Sequence, residues 1–403
     1  RKVSIMTYPL ATSSWDKEEL YAIQEVMDGG RFTMGPAVKN FEEEFADMFG
    51  QRMEKGKPVR SEAVMVNSGS TANLMMLSLL RWKHGLKKGN VIVPTIGWST
   101  TYFPIFQNNF LPNFVDVDPE TYNIDTSKIE EAITEETVAI MPVNLCGNPC
   151  NFGPLKDICQ KHNLLLIEDN CESMGAMWNS DFTGSIGNMG SFSFFFSHHI
   201  QTMEGGMVLC RDKEDADYIR SMRAHGWCRD FDNDNLYKKT GNFFKDSFTF
   251  VTPGYSVRPV EMSGAIGSVQ LKKWDDILSR RLINAGYFKT FFDREPWLQI
   301  QQVKNGISTW FSFGCVLDER LKGQRDKVIQ AFDENGIEAR PLASGHWLKQ
   351  PVMKQLQYID KFKNYPASQN IDDNGFWIGN HATDMSLGIE KVHSVLKKVA
   401  DAR

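Results

Sequence analysis

The order of strand-like and helix-like segments in this 403-residue chain predicts an α/β fold with a mostly parallel sheet. Short apolar runs alternate with segments whose apolar residues recur at helical spacing. Several runs, such as 91–93 and 164–167, are apolar throughout, which indicates strands covered on both faces. A chain of this length exceeds one ordinary core, so we expect a large domain over 1–260 and a small one over 261–403.

The first half of the chain supplies most of the predicted sheet. We expect a helix that runs to about Met27 and stops at Gly29 and Gly30, followed by another over 38–49. Helical spacing also marks 72–80. The aromatic run 192–196 is too short for a helix and predicts a fully buried strand, and Gly205 and Gly206 allow the chain to return into a further strand. Other strands are predicted at 63–66, 91–94, 113–118, 139–144 and 164–167.

The second half of the chain begins with a predicted helix over 215–224 and an exposed polar excursion over 230–245. Apolar residues at helical spacing then predict one long helix from about 260 to 292, which would link the two domains. The remaining segments have the order strand, helix, strand, over 308–317, 324–335 and 336–340. This order predicts a small α+β domain.

Charge and composition exclude several classes of function. The net charge of -5 gives no basic surface for nucleic acid or an acidic membrane. No apolar run is long enough to span a bilayer, and the first residues lack the apolar region of a signal peptide. The seven scattered cysteines include no CxxC pair, so we expect no metal site. We therefore expect a cytoplasmic protein with reduced thiols.

Polar or aromatic residues directly follow several predicted strands. Because ligands of a parallel sheet gather at the carboxyl ends of its strands, we expect these side chains to share one pocket. The residues in question are Ser70, Trp98, Asn144, Asp169 and His198.

The chemistry of these residues suits a phosphorylated, nitrogen-containing ring. Asp169 ends an apolar strand, and a buried carboxylate needs a cationic partner or hydrogen-bond donors. A protonated ring nitrogen would satisfy it, although a helix cap is the alternative. Trp98 could stack on the ring or belong to the core. Ser70, at a predicted helix N-terminus, and Ser193 could hold a phosphate, although Ser70 could also be an ordinary cap.

Together these groups predict a site for pyridoxal 5′-phosphate, a cofactor that acts as an electron sink. An enzyme of this type normally requires a lysine that binds the cofactor covalently. The chain has no lysine between Lys161 and Lys213. The missing lysine is the most informative feature of the predicted site.

Three motifs, at 67–74, 168–176 and 254–267, resemble the sugar aminotransferase/dehydratase family of fold type I pyridoxal-phosphate enzymes. The resemblance covers nearly the whole chain. It implies the aspartate aminotransferase-like fold, with a large mixed-sheet α/β domain and a small α+β C-terminal domain. In the family the cofactor-binding lysine stands six positions before the Glu of a Glu-Gly-Gly sequence. Counting back from Glu204 leads to His198.

The segment 197–206 is similar to that of a subgroup with histidine in the lysine position, the sugar 3-dehydratases that act on GDP-4-keto-6-deoxymannose in colitose biosynthesis. The resemblance implies removal of the C3 hydroxyl from a nucleotide-linked 4-keto-6-deoxy sugar, for O-antigen 3,6-dideoxysugars. L-Glutamate would convert the cofactor to pyridoxamine 5′-phosphate, and ammonia would be released. Histidine, with a reference pKa of about 6.5, can accept and donate protons, so we expect His198 to be catalytic.

Further residues are expected to contribute to the site, and the resemblance implies the roles of those that bind the cofactor. His199 ranks second to His198, as a residue that orients the loop. His225 and Arg258 would contact the substrate or glutamate, or else form ordinary surface ion pairs. Ser256 stands where the family has an asparagine that reaches the phosphate across a subunit interface, so the resemblance implies a homodimer with shared active sites. The cofactor would be bound by Asp169 at the ring nitrogen, Trp98 on the ring face, Glu172 near the ring hydroxyl, and Gly69, Ser70 and Ser193 at the phosphate.

Three alternatives remain open at this point. A nucleotide-sugar aminotransferase would need the missing lysine. The related CDP-4-keto-6-deoxyglucose 3-dehydratases carry an iron–sulfur cluster on closely spaced cysteines, whereas beyond the histidines this chain has only Cys210, Cys228 and Cys315. A non-enzymatic cofactor-binding regulator would require a DNA-binding domain that the sequence does not indicate. The sequence does not decide which nucleotide the sugar carries.

Overall fold

The computed structural model describes residues 7–54, 56–231 and 233–402. Among them, no helix has both the length and the apolar character needed to cross a membrane. The strands are β1 (Gln51–Glu54), β2 (Lys57–Arg60), β3 (Glu62–Val66), β4 (Asn90–Pro94), β5 (Leu111–Val115), β6 (Thr137–Ile140), β7 (Leu165–Asp169), β8 (Met177–Trp178), β9 (Asp181–Phe182), β10 (Met189–Ser193), β11 (Gly206–Cys210), β12 (Leu298–Ile300), β13 (Ser312–Leu317), β14 (Ala339–Arg340) and β15 (Gly375–Gly379).

The helices agree with the predicted ones in the first half of the chain to within a few residues. The capping box of Asp16 and Glu19 starts the first of them. The helices are α1 (Lys17–Gly29), α2 (Pro36–Phe49), α3 (Gly69–Trp82), α4 (Ser99–Gln107), α5 (Ile129–Ala132), α6 (Phe152–His162), α7 (Lys213–Arg223), α8 (Phe243–Asp246), α9 (Glu261–Lys272), α10 (Trp274–Phe292), α11 (Arg325–Glu334), α12 (Pro366–Asn374) and α13 (Ser386–Asp401).

A seven-stranded mixed sheet organises the large part of the chain, with the order β3-β11-β10-β7-β6-β4-β5. Strand β11 is antiparallel to both neighbours, and the other pairs are parallel. Alternate residues of β3 enter different cores: Val64 and Val66 pack with α3, whereas Ala63 and Met65 pack with α2. The sheet is therefore covered on both faces, as its apolar strands predict.

The predicted strand over 192–196 is partly wrong. Strand β10 ends at Ser193, opposite Gly206, the first residue of β11. Phe194 is still buried, but Phe195 and Phe196 are 44% and 45% exposed. They lie beyond the last strand pair, where the chain turns away from the sheet before it reaches the two histidines. An aromatic run therefore continues past the end of the strand it starts in.

The single long helix predicted from 260 to 292 is two helices, α9 and α10, separated at Lys273. This residue has φ -92° and ψ 1°, outside helical values. Its ammonium group binds the buried carboxylate of Glu19 at 2.7 Å and the exposed carboxylate of Asp16 at 2.9 Å. Because the break is made by a contact with α1, the apolar spacing along the sequence does not reveal it.

The C-terminal part contains a four-stranded antiparallel sheet with the order β12-β13-β15-β14. Helices α10, α11 and α13 contribute to the core beneath it, together with Tyr8 from the start of the chain. The hydroxyl of Tyr8 donates to the Gly379 carbonyl at 2.7 Å. The predicted α+β character is present, although α12, β15 and α13 were not predicted. The domain boundary at residue 260 stays a prediction.

Helices α2 and α9 approach closely because Gly264 has no side chain. A Cβ atom at this position would lie 2.5 Å from the Val38 nitrogen. We expect Gly264→Ala to lower the free energy of unfolding by about 1–3 kcal/mol, since an inserted methyl group forces the helices apart. The matched control is Gly286→Ala in α10, where no atom lies within 4 Å.

The control should raise the free energy of unfolding by about 0.5–1 kcal/mol, because alanine favours a helix over glycine. Thermal denaturation followed by circular dichroism measures both variants. Equal midpoints for the two variants would show that the α2–α9 contact is not tight.

Candidate active site

A cavity of about 270 Å³ opens at the carboxyl ends of the central strands. It lies where the sequence predicts a pocket, because parallel strands present the residues that follow them at one edge of the sheet. The predicted site residues that line it are Gly69, Ser70, Trp98, Asp169, Glu172, Ser193 and His198.

The N-terminus of α3 forms one wall of this cavity. Ser68 caps the helix by accepting the Thr71 N–H, so that the helix begins directly at Gly69. A Cβ atom at Gly69 would lie 2.5 Å from the Ser193 Cβ, which shows how closely the two segments approach. The Ser70 hydroxyl donates to Thr100 at 2.9 Å. A helix N-terminus with two serines beside it can bind a phosphate.

The Asp169 carboxylate lies at the bottom of the cavity and is 4% exposed. It accepts hydrogen bonds from Thr101 at 2.7 Å and from the amide of Asn73 at 2.9 Å. The backbone of Cys171 donates to it at 3.2 Å. None of the cationic side chains in the described segments forms an ion pair with it. A buried carboxylate of this kind favours a cation in the cavity, and the protonated nitrogen of a pyridine ring would supply one.

Trp98 stands at the start of α4 and is 50% exposed. Trp98 is therefore not a core residue. Its ring faces the cavity, where an aromatic surface can stack on a flat ligand. The guanidinium carbon of Arg340 lies 5.9 Å from the ring centroid.

Glu172 and Arg340 form the side of the cavity nearest the C-terminal sheet. The Glu172 carboxyl accepts the Cys146 N–H at 3.0 Å. Burial raises the pKa of Glu172 to about 7, although the Cys146 hydrogen bond and the Arg340 charge act in the opposite direction. The Arg340 guanidinium also packs over the Trp377 ring at 4.1 Å. This arginine brings a positive charge to the cavity from a strand that is distant in sequence.

His198 lies on the turn between β10 and β11, at the wall of the cavity. The backbone N–H of His198 donates to the Phe195 carbonyl at 2.8 Å, and this hydrogen bond fixes the turn. Burial, together with the charges of Arg340 and Arg281, lowers the pKa of the imidazole to about 3. The imidazole is therefore neutral near pH 7, the state that accepts a proton.

His199 points into the protein and does not line the cavity. It is 2% exposed, and its ring packs against Trp274 and Phe311. Within the described segments, neither ring nitrogen has a partner of hydrogen-bonding geometry, although the Thr309 backbone lies close enough to favour the charged form. Burial nevertheless lowers its pKa well below the ordinary value.

Three predicted residues lie together outside the cavity of their own chain. Arg258 contacts the His225 Nε2 atom at 2.8 Å and the Ser256 hydroxyl at 3.5 Å. None of the three lines the cavity. Asn144 does not line it either. Its amide donates to Asn170 at 3.0 Å in the layer below, because its strand ends earlier than the sequence predicts.

The described residues that line the cavity include no lysine, and the segment 197–206 contains none either. The chain therefore offers His198, and no lysine, at the position from which a cofactor would be bound covalently.

A family model matches residues 13–400, and its family is the DegT/DnrJ/EryC1/StrS aminotransferases. The chain belongs to this family. The aspartate aminotransferase-like fold predicted from the motifs is confirmed by the solved structures it resembles.

Two relatives of this chain have the same assigned activity, and one of them is a solved structure. The GDP-4-keto-6-deoxy-D-mannose 3-dehydratase of Yersinia pseudotuberculosis is 45% identical, over 99% of this chain and 100% of its own length. The Escherichia coli enzyme of that name, solved with bound hydrated PLP, is 43% identical with a TM-score of 0.91, over 97% of this chain and 100% of its own.

A second solved structure holds the relative's cofactor together with an amino acid. It is a GDP-4-keto-6-deoxymannose-3-dehydratase with a trapped PLP-glutamate geminal diamine, 43% identical with a TM-score of 0.91, over 96% of this chain and 100% of its own. The predicted family and its dependence on pyridoxal phosphate are therefore confirmed.

The sequence did not point to several residues of the site. Asn73 is the fifth residue of α3 and Thr101 is the third residue of α4, and their bonds to Asp169 depend on how the helices pack. Phe311 and Arg340 come from the C-terminal part of the chain. An arginine at the end of a short strand gives no signal of its own, so only the tertiary structure could place it here.

The burial of His199 predicts a specific pH dependence of stability. In the unfolded chain its imidazole takes up a proton below about pH 6.5, whereas in the folded chain burial prevents this. The free energy of unfolding therefore falls as the pH falls below that value. In a His199→Gln variant this contribution is absent.

We expect the stability difference between the variant and the parent protein to move in favour of the variant by about 2 kcal/mol between pH 6.5 and pH 5. Urea denaturation at several pH values measures it, and the packing lost in the variant cancels in the comparison. A constant difference would mean that His199 has the same pKa in the folded protein as in the unfolded chain.

Proposed function

We propose that this protein removes the C3 hydroxyl group from a nucleotide-linked 4-keto-6-deoxy sugar, GDP-4-keto-6-deoxymannose, with glutamate as the amino donor and ammonia as a product. The reaction would serve the synthesis of 3,6-dideoxysugars of the colitose type for O-antigens. The observation that supports it most is the cavity itself: it contains the groups expected to hold pyridoxal phosphate, with His198 in place of a lysine. The two relatives described above support the choice of sugar and nucleotide.

The residues of the cavity fit the cofactor. Asp169 would bind the ring nitrogen, because its buried carboxylate lacks a cation among the described residues. Trp98 would stack on the ring, and Glu172 would lie near the ring hydroxyl. Gly69, Ser70 and Ser193 would hold the phosphate at the N-terminus of α3. When bound, the cofactor joins amines and ketones and acts as an electron sink.

His198 would move the protons of the reaction. Its neutral imidazole accepts a proton from carbon, which a charged imidazole cannot do. The same imidazole, once protonated, donates to the C3 hydroxyl oxygen of the sugar as that group departs. A histidine cannot hold the cofactor as a lysine does, so it remains available for both transfers.

Arg340 would bind a carboxylate of glutamate. Its guanidinium lines the cavity beside Trp98 and forms no ion pair with a carboxylate in the described part of the chain. An arginine without such a partner suits the planar, bidentate geometry of a carboxylate. Glutamate would then lie between this arginine and His198.

The proposal also includes a cytoplasmic location and a homodimeric state. All seven cysteines are free thiols, which supports a reducing cytoplasmic compartment. The cluster of Ser256, His225 and Arg258 lies outside its own cavity, which supports a homodimer in which Ser256 approaches the partner's cofactor phosphate. His225 and Arg258 would contact the substrate there.

The activity test measures ammonia release with glutamate, added cofactor and a sugar nucleotide. We expect release with GDP-4-keto-6-deoxymannose and little with CDP-4-keto-6-deoxyglucose. His198→Asn should lower the rate by about 100-fold or more, because a positioned acid–base group contributes 10²–10⁴-fold.

His162→Asn is the matched control for the histidine substitution. His162 lies on the surface at the end of α6, where it contacts Glu130, and its loss should leave the rate unchanged. Full ammonia release by His198→Asn would exclude the proposed role of His198. Transfer of the amino group to the sugar, without ammonia, would instead identify an aminotransferase.

The dimer is supported by four exposed phenylalanines, two in α8 and two in the segment that follows it. Phe243 and Phe244 are 87% and 82% exposed, and Phe248 and Phe250 are 62% and 57% exposed. Such an apolar surface on a soluble enzyme is typical of a protein interface. A second copy of this chain would cover it.

We expect the double variant Phe243→Asp and Phe244→Asp to sediment as a monomer and to bind the cofactor more weakly, because Ser256 of a partner would be lost from the site. Leu387→Asp is the control, since Leu387 is 66% exposed on the C-terminal helix α13. Analytical ultracentrifugation and a cofactor absorbance titration measure the two effects. A variant that remains dimeric would place the interface elsewhere.

A further inference from the structure

Both adjacent histidines contact one aromatic ring from the C-terminal part of the chain. The ring centroid of Phe311 lies 5.1 Å from that of His198 and 5.4 Å from that of His199. Phe311 is 5% exposed and immediately precedes β13. The ring therefore joins the turn that carries His198 to the antiparallel sheet of the other part of the chain.

The backbone of Phe311 is fixed from both sides. Its N–H donates to the Cys146 carbonyl at 3.1 Å. Its carbonyl accepts a hydrogen bond of 3.0 Å from Arg281 Nη1, which also donates to the Asn380 carbonyl at 2.5 Å. Arg281 is 3% exposed and lies in α10. The position of this ring is thus set by contacts with both parts of the chain, through Cys146 near the central sheet and through Arg281 in α10.

The turn before Phe311 holds an unusual conformation. Trp310 has a φ of 48°, in the left-handed region that is costly for a bulky residue. A Cβ atom at Gly147 would lie 2.5 Å from the Trp310 nitrogen and 2.6 Å from the Phe311 nitrogen. Only glycine permits this approach. Strain of this kind persists when the surrounding structure imposes it, and here it directs Phe311 at the two histidines.

We infer that Phe311 is a positioning residue for His198, and that Arg281 acts through it. The inference rests on the proposed role of His198 as the acid–base group. The phenyl ring does no chemistry. It closes one wall of the cavity, restricts the imidazole to one orientation and keeps water away from it. A misplacement of about 1 Å at such a group can cost about 100-fold in rate.

The charge state of His198 is consistent with this role. Burial is the main cause of its low pKa, so opening the wall at Phe311 would raise the pKa towards the ordinary value of about 6.5. The ionisable and charged groups that face the imidazole from the surrounding elements are Arg340, Arg281, His199, Asp169, Glu172 and Glu204.

The test compares Phe311→Leu with Phe313→Leu. Phe313 lies two residues along β13, is fully buried, and stacks on Phe288 at 4.1 Å in the core away from the cavity. We expect Phe311→Leu to lower kcat for ammonia release by about 10- to 100-fold, with KM for the sugar nucleotide changed by less than about 2-fold. Phe313→Leu should lower the thermal midpoint and leave kcat unchanged.

A second readout uses the protein without cofactor or substrate. Histidine-labelled protein titrated by NMR should show a His198 signal that starts to move near pH 6 in Phe311→Leu, but stays constant above pH 5 in the parent protein and in Phe313→Leu. Arg281→Met should lower kcat as Phe311→Leu does without altering the ring, and Arg281→Lys, which keeps a donor, should restore part of the rate.

Two results would overturn the inference, and His198→Asn, measured alongside, distinguishes them. If that variant is inactive while Phe311→Leu keeps the kcat and the His198 titration of the parent protein, the positioning role alone is wrong. If His198→Asn is fully active, the proposed role of His198 fails, and the positioning role fails with it.

Discussion

The buried carboxylate of Asp169 is the constraint on which the rest of the site depends. A carboxylate at the end of a covered strand is costly unless donors and a positive charge stabilise it. The chain supplies donors from Asn73 and Thr101, and so fixes how α3 and α4 sit against β7. In the described segments it supplies no cationic partner. That charge is left to a ligand, and the same helices bring the N-terminus of α3 and Trp98 to the cavity in which a ligand would lie.

The second requirement is that two parts of the chain meet at one cavity. The central-sheet part contributes the N-terminus of α3, the carboxylate of Asp169 and the turn with His198. The C-terminal sheet contributes Phe311 and Arg340. The junction depends on close backbone approach, since Gly147 leaves room for the turn before Phe311. The charged groups of the cavity thus come from both sheets, and a small shift between the sheets would change the distance from Arg340 to Asp169 and His198.

Local patterns in the sequence were enough to predict most of the first half of the fold. Strand β7 and helix α2 have clear apolar spacing, and their predicted positions are nearly correct. The break at Lys273 was missed because it depends on ion pairs with residues more than two hundred positions away. The residues that directly follow strands were placed in the cavity correctly, with the exception of Asn144. Arg340 and Phe311 were not found, because no neighbouring residue marks them and only packing brings them to the site.

Because no lysine among the described residues lines the cavity, the protein would retain its cofactor through reversible contacts alone. Occupancy then follows the free concentration of the cofactor by mass action, in contrast to an enzyme that stores its cofactor in a covalent bond. The stability that the folded state gains from the cofactor then rises with the logarithm of the free cofactor concentration once that concentration exceeds the dissociation constant. Such a protein is coupled to the vitamin B6 supply of its cell, and it loses bound cofactor by simple dilution.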